Sequence, residues 1–255
     1  MLLCVPVLAL GCGSQEKTKL VVYAASSLTE AMSAVGVEFE ARHPDVQVVF
    51  NFAGSQALAT QIEHGAVADV FAPADVFYMQ RLQQAELVLE DPVILAHNRL
   101  IVALPAANPA GLRNLQDLAR SDVRIVVAQQ NVPVGRYTRQ VIANLSTEAW
   151  YGSGFREAVL ANVRSEELNV RQVLAKVALG EADAGFVYVS DVASAQKDVI
   201  TLDIPKTANV TAAYPIALLA TTEHEDLARH FLAFVQSPAA REILQRAGFQ
   251  AVDLP

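Results

Sequence analysis

Cysteine is almost absent from this chain. Of its 255 residues only Cys4 and Cys12 are cysteines, so everything after the first twelve residues is without a disulfide or a thiolate metal site. Histidine is sparse and scattered: His43, His64, His97, His224 and His230 form no H-E-x-x-H or other metal-ligand spacing. Positive charge is also short, with 19 Lys and Arg against 27 Asp and Glu, a formal net charge of −8 and a pI near 5.1. No Lys/Arg stripe is present to neutralise phosphates, which argues against nucleic acid as a partner. A field of this sign repels anions at long range, so an anion would have to be held by local dipoles. Residues 1–10 are apolar but far short of the ~20 residues a membrane-spanning helix needs, and no other stretch is long enough. Internal repeats and low-complexity tracts are missing, and Gly152-Ser153-Gly154 is a flexible turn, neither a nucleophile elbow nor a phosphate loop.

What remains is 53% hydrophobic, enough to bury a core in one large domain or two smaller ones. The apolar start runs into Gly11-Cys12-Gly13-Ser14 and a polar stretch, 15–19. This looks like a bacterial lipoprotein signal, with Leu8-Ala9-Leu10-Gly11-Cys12 as the cleavage region and Cys12 lipidated, although a basic n-region is missing; an ordinary signal peptide is the alternative. Residues 1–18 are therefore read as leader and linker.

Strand and helix patterns alternate through most of the rest, which predicts α/β architecture with parallel-rich sheets flanked by helices. Four junctions bring neutral hydrogen-bond donors to a strand end or a helix start. In the first, residues 20–25 form a short apolar strand and residues 28–42 repeat Leu28, Met32, Val35 and Phe39 at helical spacing. Ser27 and Glu30 make an S-x-x-E pattern that places Ser27 at the N-cap, beside free N–H groups and the positive end of the helix dipole. The second couples a strand at 46–50 to a helix at 57–63 through Gly54-Ser55. Gly54 lets a backbone or ligand approach closely, and Ser55 can donate its hydroxyl. In the third, the strand 124–128 leads to Pro133 in a first helical turn, which exposes the N–H groups of Val134 and Gly135. The fourth has Asn169 capping a helix at 170–179, Gly180 stopping it, and Tyr188 offering a phenolic hydroxyl from the strand 186–189. Each junction taken alone is an ordinary turn plus cap. Arg136, next to the donors of the third junction, is expected to face solvent.

Two apolar stretches, 93–104 and 210–220, suggest strands that cross between lobes and form a hinge. Lobe I is then residues 19–97 plus 210–255, including helices near 225–236 and 238–247, and lobe II is residues 98–209. Ser27 and Ser55 fall in the first lobe, and Val134, Val170 and Tyr188 in the second. A ligand between them favours closure.

In their order and separation the four junctions resemble the solute-binding proteins of ABC-type molybdate importers. Supporting matches include Gly65-Ala66-Val67-Ala68-Asp69-Val70-Phe71, Ala74-Asp75 and Gly180-Glu181-Ala182-Asp183-Ala184-Gly185, and the resemblance runs from Lys19 to Phe249. It implies a two-lobed periplasmic-binding-protein fold with the ligand cleft between lobes joined by two crossover strands. It also implies a monomer that captures molybdate or tungstate, needs no cofactor, and delivers its cargo to a membrane permease. The ligand set it implies is Ser27 and Ser55, through hydroxyl and main-chain N–H, Val134 and Val170, through main-chain N–H, and Tyr188, through its hydroxyl. Gly54 stands where many relatives have serine and Val134 where many have alanine, and neither change removes a main-chain donor.

The chemistry can be weighed without the family. Molybdate, tungstate and sulfate are fully deprotonated near neutral pH, so a site made only of donors suits them. Phosphate keeps a proton, and an unmatched buried polar group costs about 1–3 kcal/mol, so a phosphate site favours a carboxylate acceptor. Asp191 is the nearest carboxylate in sequence and is read as a support for the Tyr188 loop or a helix cap. Sulfate and phosphate receptors are the nearest alternatives. An enzyme on the same scaffold, with Tyr188 or Asp191 as acid or base, is the alternative from another class, disfavoured because neither has a His or Cys partner in sequence.

Overall fold

The computed structural model describes residues 16–250 and residue 252; Cys12 and the leader before it lie outside them. At the centre of the first parallel group is β1 (Thr18–Ala25), with Leu20, Val22 and Ala24 fully buried. It pairs in parallel with β2 (Val46–Ala53), from Thr18 opposite Val46 to Ala25 opposite Ala53, and on its other side with β3 (Val70–Ala72). Each of these strands feeds a helix: α1 (Thr29–Arg42), α2 (Ser55–Glu63) and α3 (Val76–Gln84). Asp69, just before β3, ties that strand to β1 and to the segment after β9, its carboxylate accepting from the Val21 N–H at 2.7 Å and from the Thr222 hydroxyl at 2.6 Å.

β4 (Val93–Pro105) leaves this group as a thirteen-residue strand. Beyond it come β5 (Ile125–Ala128), α4 (Pro133–Leu145), α5 (Phe155–Ala161), β6 (Val163–Glu167), α6 (Val170–Ala178), β7 (Ala184–Tyr188), α7 (Val189–Ala193) and β8 (Val199–Leu202). β5 lies parallel to both β6 and β7. The chain returns along β9 (Thr211–Leu218), antiparallel to the first half of β4, and β9 ends against β3 with Val70 opposite Leu218. The second half of β4 instead pairs antiparallel with β7, Leu100 opposite Tyr188, and with β8. The strand order β2-β1-β3-β9-β4-β7-β5-β6 thus sets two parallel groups on either side of an antiparallel pair. The two apolar stretches expected to cross between the halves of the chain are that pair.

The last helices, α8 (Glu225–Val235) and α9 (Pro238–Arg246), fold back onto α1. Phe39 of α1 meets Phe231 edge-on at 5.1 Å and Phe234 at 5.5 Å, which buries the return segment against the first group. A second, smaller apolar cluster lies under α2 and α3, built on Leu58, Ile62, Phe71, Met79 and Leu82.

Local signals are correct for several boundaries. Asn169 caps α6 by accepting from the Gln172 N–H at 3.1 Å, Pro133 opens α4, and Gly65 and Gly180 follow their helices at φ of +88° and +72°. One cap differs from expectation. Residues 26–28 form a 3-10 turn, α1 begins at Thr29, and no side chain caps it, so Ser27 is not an N-cap. Thr29 Oγ1 donates instead to the Ser26 carbonyl at 2.7 Å, which satisfies the tight turn locally and frees the Ser27 hydroxyl for other partners.

Candidate anion site

In parallel α/β units the strand carboxyl ends and the helix starts that follow them face the same way, and their free N–H groups collect at that edge. Here both parallel groups turn that edge toward one small cavity. Ser26 and Ser27 reach it from the turn after β1, Gly54 and Ser55 from the start of α2, and Ala74 from the loop after β3. From the other side come Pro133 and Val134 at the start of α4, Asn169 and Val170 at the start of α6, and Tyr188 at the end of β7. The cavity has a volume of about 10 Å³, roughly the room of a single water, which leaves no space for a sugar or peptide. All five residues of the expected set, Ser27, Ser55, Val134, Val170 and Tyr188, line it and are buried.

The hydroxyls are oriented by their partners. Ser55 Oγ accepts from the main-chain N–H of Ala74 at 2.9 Å, which leaves its own proton to be donated elsewhere. Ser27 Oγ lies 3.1 Å from the Tyr214 hydroxyl of β9. Tyr188 Oη is buried and has no hydrogen-bond partner among the described residues. An orphaned donor of this kind costs about 1–3 kcal/mol unless a ligand meets it. Burial pushes the Tyr188 and Tyr214 phenols well above their ordinary range, which keeps both as neutral donors. The main chain adds the first-turn N–H groups of α2, α4 and α6, which have no partner within their helices.

Among the described residues no charged side chain lines the cavity. The charges stand just outside. Asp191, at the start of α7, accepts from the Tyr188 N–H at 3.0 Å through Oδ2, as a support for the strand end and not as a lining group. Burial pushes its carboxyl up to about 7, opposed by the Arg171 guanidinium, whose Nε lies 3.4 Å from Asp191 Oδ1. Arg136 does not simply face solvent: its guanidinium pairs with the buried carboxylate of Asp75, the N-cap of α3, and lies 4.7 Å over the Phe77 ring. Burial raises the Asp75 carboxyl, against the pull of Arg136. The close approach read into Gly54 is made by backbone, since a Cβ there would stand 2.5 Å from the Leu168 carbonyl oxygen. Gln56 reaches the same carbonyl, its Nε2 donating at 2.6 Å.

The family described as bacterial extracellular solute-binding protein matches residues 20–250. The chain belongs to this family. This solute-binding protein is 41% identical over 236 residues to the molybdate-binding protein ModA of Mycobacterium bovis, covering 92% of this chain and 86% of that one. Among solved structures, the substrate-binding domain of a putative molybdenum ABC transporter from Clostridium difficile is 27% identical, with a TM-score of 0.69 over 93% of this chain and all of that one. The periplasmic molybdate-binding protein of Azotobacter vinelandii, 22% identical, has the same fold, with a TM-score of 0.80 over 92% of this chain and 100% of that one.

Sequence reasoning missed several residues that this solute-binding protein places around the cavity. Tyr214 is 187 residues from Ser27, and Ala74 is 19 residues from Ser55, with no local pattern linking either pair. Arg171 is the largest omission. It sits beside Val170 in the first turn of α6, yet its partners, Ser26 and Glu30, are 145 and 141 residues away.

Proposed function

We propose that this solute-binding protein captures molybdate outside the cytoplasm, accepts tungstate as a near equivalent, and delivers the anion to the membrane permease of an ABC importer. The observation that carries the reading is the composition of the cavity: hydroxyls and helix-start N–H groups converge there, the Tyr188 hydroxyl awaits a partner, and no carboxylate or cation of the described residues lines the wall. A fully deprotonated tetrahedral oxyanion accepts at every oxygen and satisfies each of these donors. Protonated phosphate would need an acceptor, and Asp191, the carboxylate after Tyr188 in sequence, does not line the cavity and accepts the Tyr188 N–H instead. In this reading Ser27 and Ser55 donate through hydroxyl and main-chain N–H, Val134 and Val170 through N–H, and Tyr188 through its hydroxyl. The names of the Mycobacterium bovis relative and of the Clostridium difficile domain support molybdate as the ligand and an ABC importer as the partner.

The same reading divides the chain into lobe I, residues 19–97 plus 210–255, and lobe II, residues 98–209, with β4 and β9 as the hinge. The protein works as a monomer, performs no chemistry on its ligand, and is held at the membrane by a lipid on Cys12. Labelled fatty acid should enter the parent protein and be lost in Cys12→Ser. Thermal unfolding with molybdate, tungstate, sulfate and phosphate tests the ligand, because an anion at about 100 times its dissociation constant adds about 2.7 kcal/mol of stability. A shift with molybdate and tungstate alone is expected. A shift with sulfate or phosphate instead would change the substrate, and conversion of a bound ligand, seen by mass spectrometry, would replace the receptor by an enzyme.

A further inference from the structure

Three polar links cross the mouth of the cavity, and none of them uses a lining side chain as its cation. At one end the Arg171 guanidinium gathers four partners. Nε donates to the Ser26 carbonyl at 3.2 Å and lies 3.4 Å from Asp191 Oδ1, Nη1 donates to Ser194 Oγ at 2.9 Å, and Nη2 pairs with the Glu30 carboxylate. Two of these partners, Ser26 and Glu30, stand in the turn and helix after β1; the other two stand in and just after α7, beneath Tyr188. At the other end Arg136 of α4 pairs with Asp75, and beside it the Tyr78 hydroxyl of α3 donates to the Asn131 carbonyl. Between them the Gln56 side chain donates to Leu168.

We propose that Arg171 and Arg136 are two clasps that hold the halves of the protein together around the anion and set the rate at which it leaves. This role rests on the two-lobe reading of the proposed function. A cation inside the cavity would bind the anion directly, whereas a cation tied to a carboxylate of the opposite half stabilises the shut form without touching ligand. Both guanidiniums are only partly exposed. Asp75 is buried with its side chain 2% accessible, which shields the Arg136 pair from the screening that makes surface ion pairs weak, whereas Glu30 is 51% exposed, so Arg171 draws also on the buried Ser26 carbonyl. Opening the cleft breaks them together. Arg171 holds the larger share, because the same group that closes the cleft also fixes the Ser26–Leu28 turn and supports the strand end that carries Tyr188. A planar fork with several donors can serve all four partners, and a lysine cannot. Arg171 and Arg136 are therefore positioning residues, and their contribution falls on dissociation, as it does when a shielded charge pair across an interface is truncated.

The test uses the purified protein, radiolabelled molybdate and the variants Arg171→Gln, Arg136→Gln and Arg171→Lys, with Glu30→Gln as a milder change on a half-exposed partner should the first two fold poorly. Arg171→Gln should raise the dissociation rate at least tenfold and Arg136→Gln at least threefold, with association changed less than twofold. Arg171→Lys should recover part of the loss. Dissociation within twofold of the parent in both Gln variants, or a loss shared equally by association and dissociation, would overturn the proposal. Small-angle scattering without added anion gives an arm independent of the ligand: the Gln variants should show a larger radius of gyration than the parent. If the parent binds none of the four oxyanions, the functional reading fails while scattering still decides the clasps, an unchanged radius in both variants refuting them.

Discussion

Ser55 Oγ accepts the main-chain N–H of Ala74 at 2.9 Å, and this single bond fixes the start of α2 against the loop after β3. The hydroxyl proton is thereby turned away from Ala74 and left for the cavity. Ser55→Ala removes a donor to a charged ligand and also leaves the Ala74 N–H buried without a partner. Affinity for molybdate should fall by about 1.5–3 kcal/mol, and the ligand-free protein should lose about 1–3 kcal/mol of stability. Calorimetric titration and denaturant unfolding measure the two losses separately. Molybdate binding equal to that of the parent would remove Ser55 from the site.

Tyr188→Phe should behave differently, and the contrast is diagnostic. The Tyr188 hydroxyl is buried with no partner among the described residues, so its removal relieves an unsatisfied group in the ligand-free protein. Thermal stability without anion should stay level or rise. Affinity should still fall by about 1.5–3 kcal/mol, since the lost donor faces charge in the complex. A stability loss without an affinity loss would mean that the hydroxyl serves the fold and not the ligand.

These two residues also show what a sequence makes legible. Strand-to-helix junctions are local, and so Pro133, Asn169 and Gly180 carry their own signals at the ends of α4 and α6. The five expected residues sit at such junctions, but each junction alone reads as a turn plus cap, and joining the five into one ligand set is what the family resemblance implies. Long-range partners leave no such trace. Arg136 reads as a surface residue because Asp75, 61 residues earlier, gives no local hint that it will need a cation. The Ser27 cap fails for the opposite reason: S-x-x-E is a local pattern, but Glu30 pairs with Arg171 and the Ser27 hydroxyl with Tyr214, so tertiary contacts override it. β6, with the sequence Val163-Arg164-Ser165-Glu166-Glu167, is invisible in the pattern because an edge strand rich in charge shows little apolar alternation.

Asp191 makes the stability of the protein depend on pH. Its carboxyl is pushed up to about 7 in the fold from an ordinary value of 3.8, so between those values the folded protein holds a proton that the unfolded chain has released. The contribution is fully present below about pH 4 and is lost as pH rises to 7, at up to about 1.4 kcal/mol per pH unit. Asp191→Asn keeps an oxygen to accept the Tyr188 N–H and does not titrate. Its melting temperature relative to the parent should therefore increase from pH 5 to pH 8. A difference that stays flat over this range would show that Arg171 compensates the buried charge in full.

Gly135 tests the packing that sets the α4 donors in place. A Cβ at this position would fall inside contact distance of the Gln129 and Ala128 carbonyl oxygens, both of them backbone, so the first turn of α4 lies directly on the end of β5. No rotamer change can relieve such a contact. Gly135→Ala must push the helix start away from the strand, at a cost of about 1–3 kcal/mol, which for a domain of this size lowers the melting temperature by roughly 2–4 °C per kcal/mol. Because the neighbouring Val134 N–H moves with that turn, molybdate affinity should drop in the same variant although no lining side chain has changed. A helix that shifts without loss of affinity would place the Val134 N–H outside the ligand's reach, leaving the anion to the serines, Val170 and Tyr188.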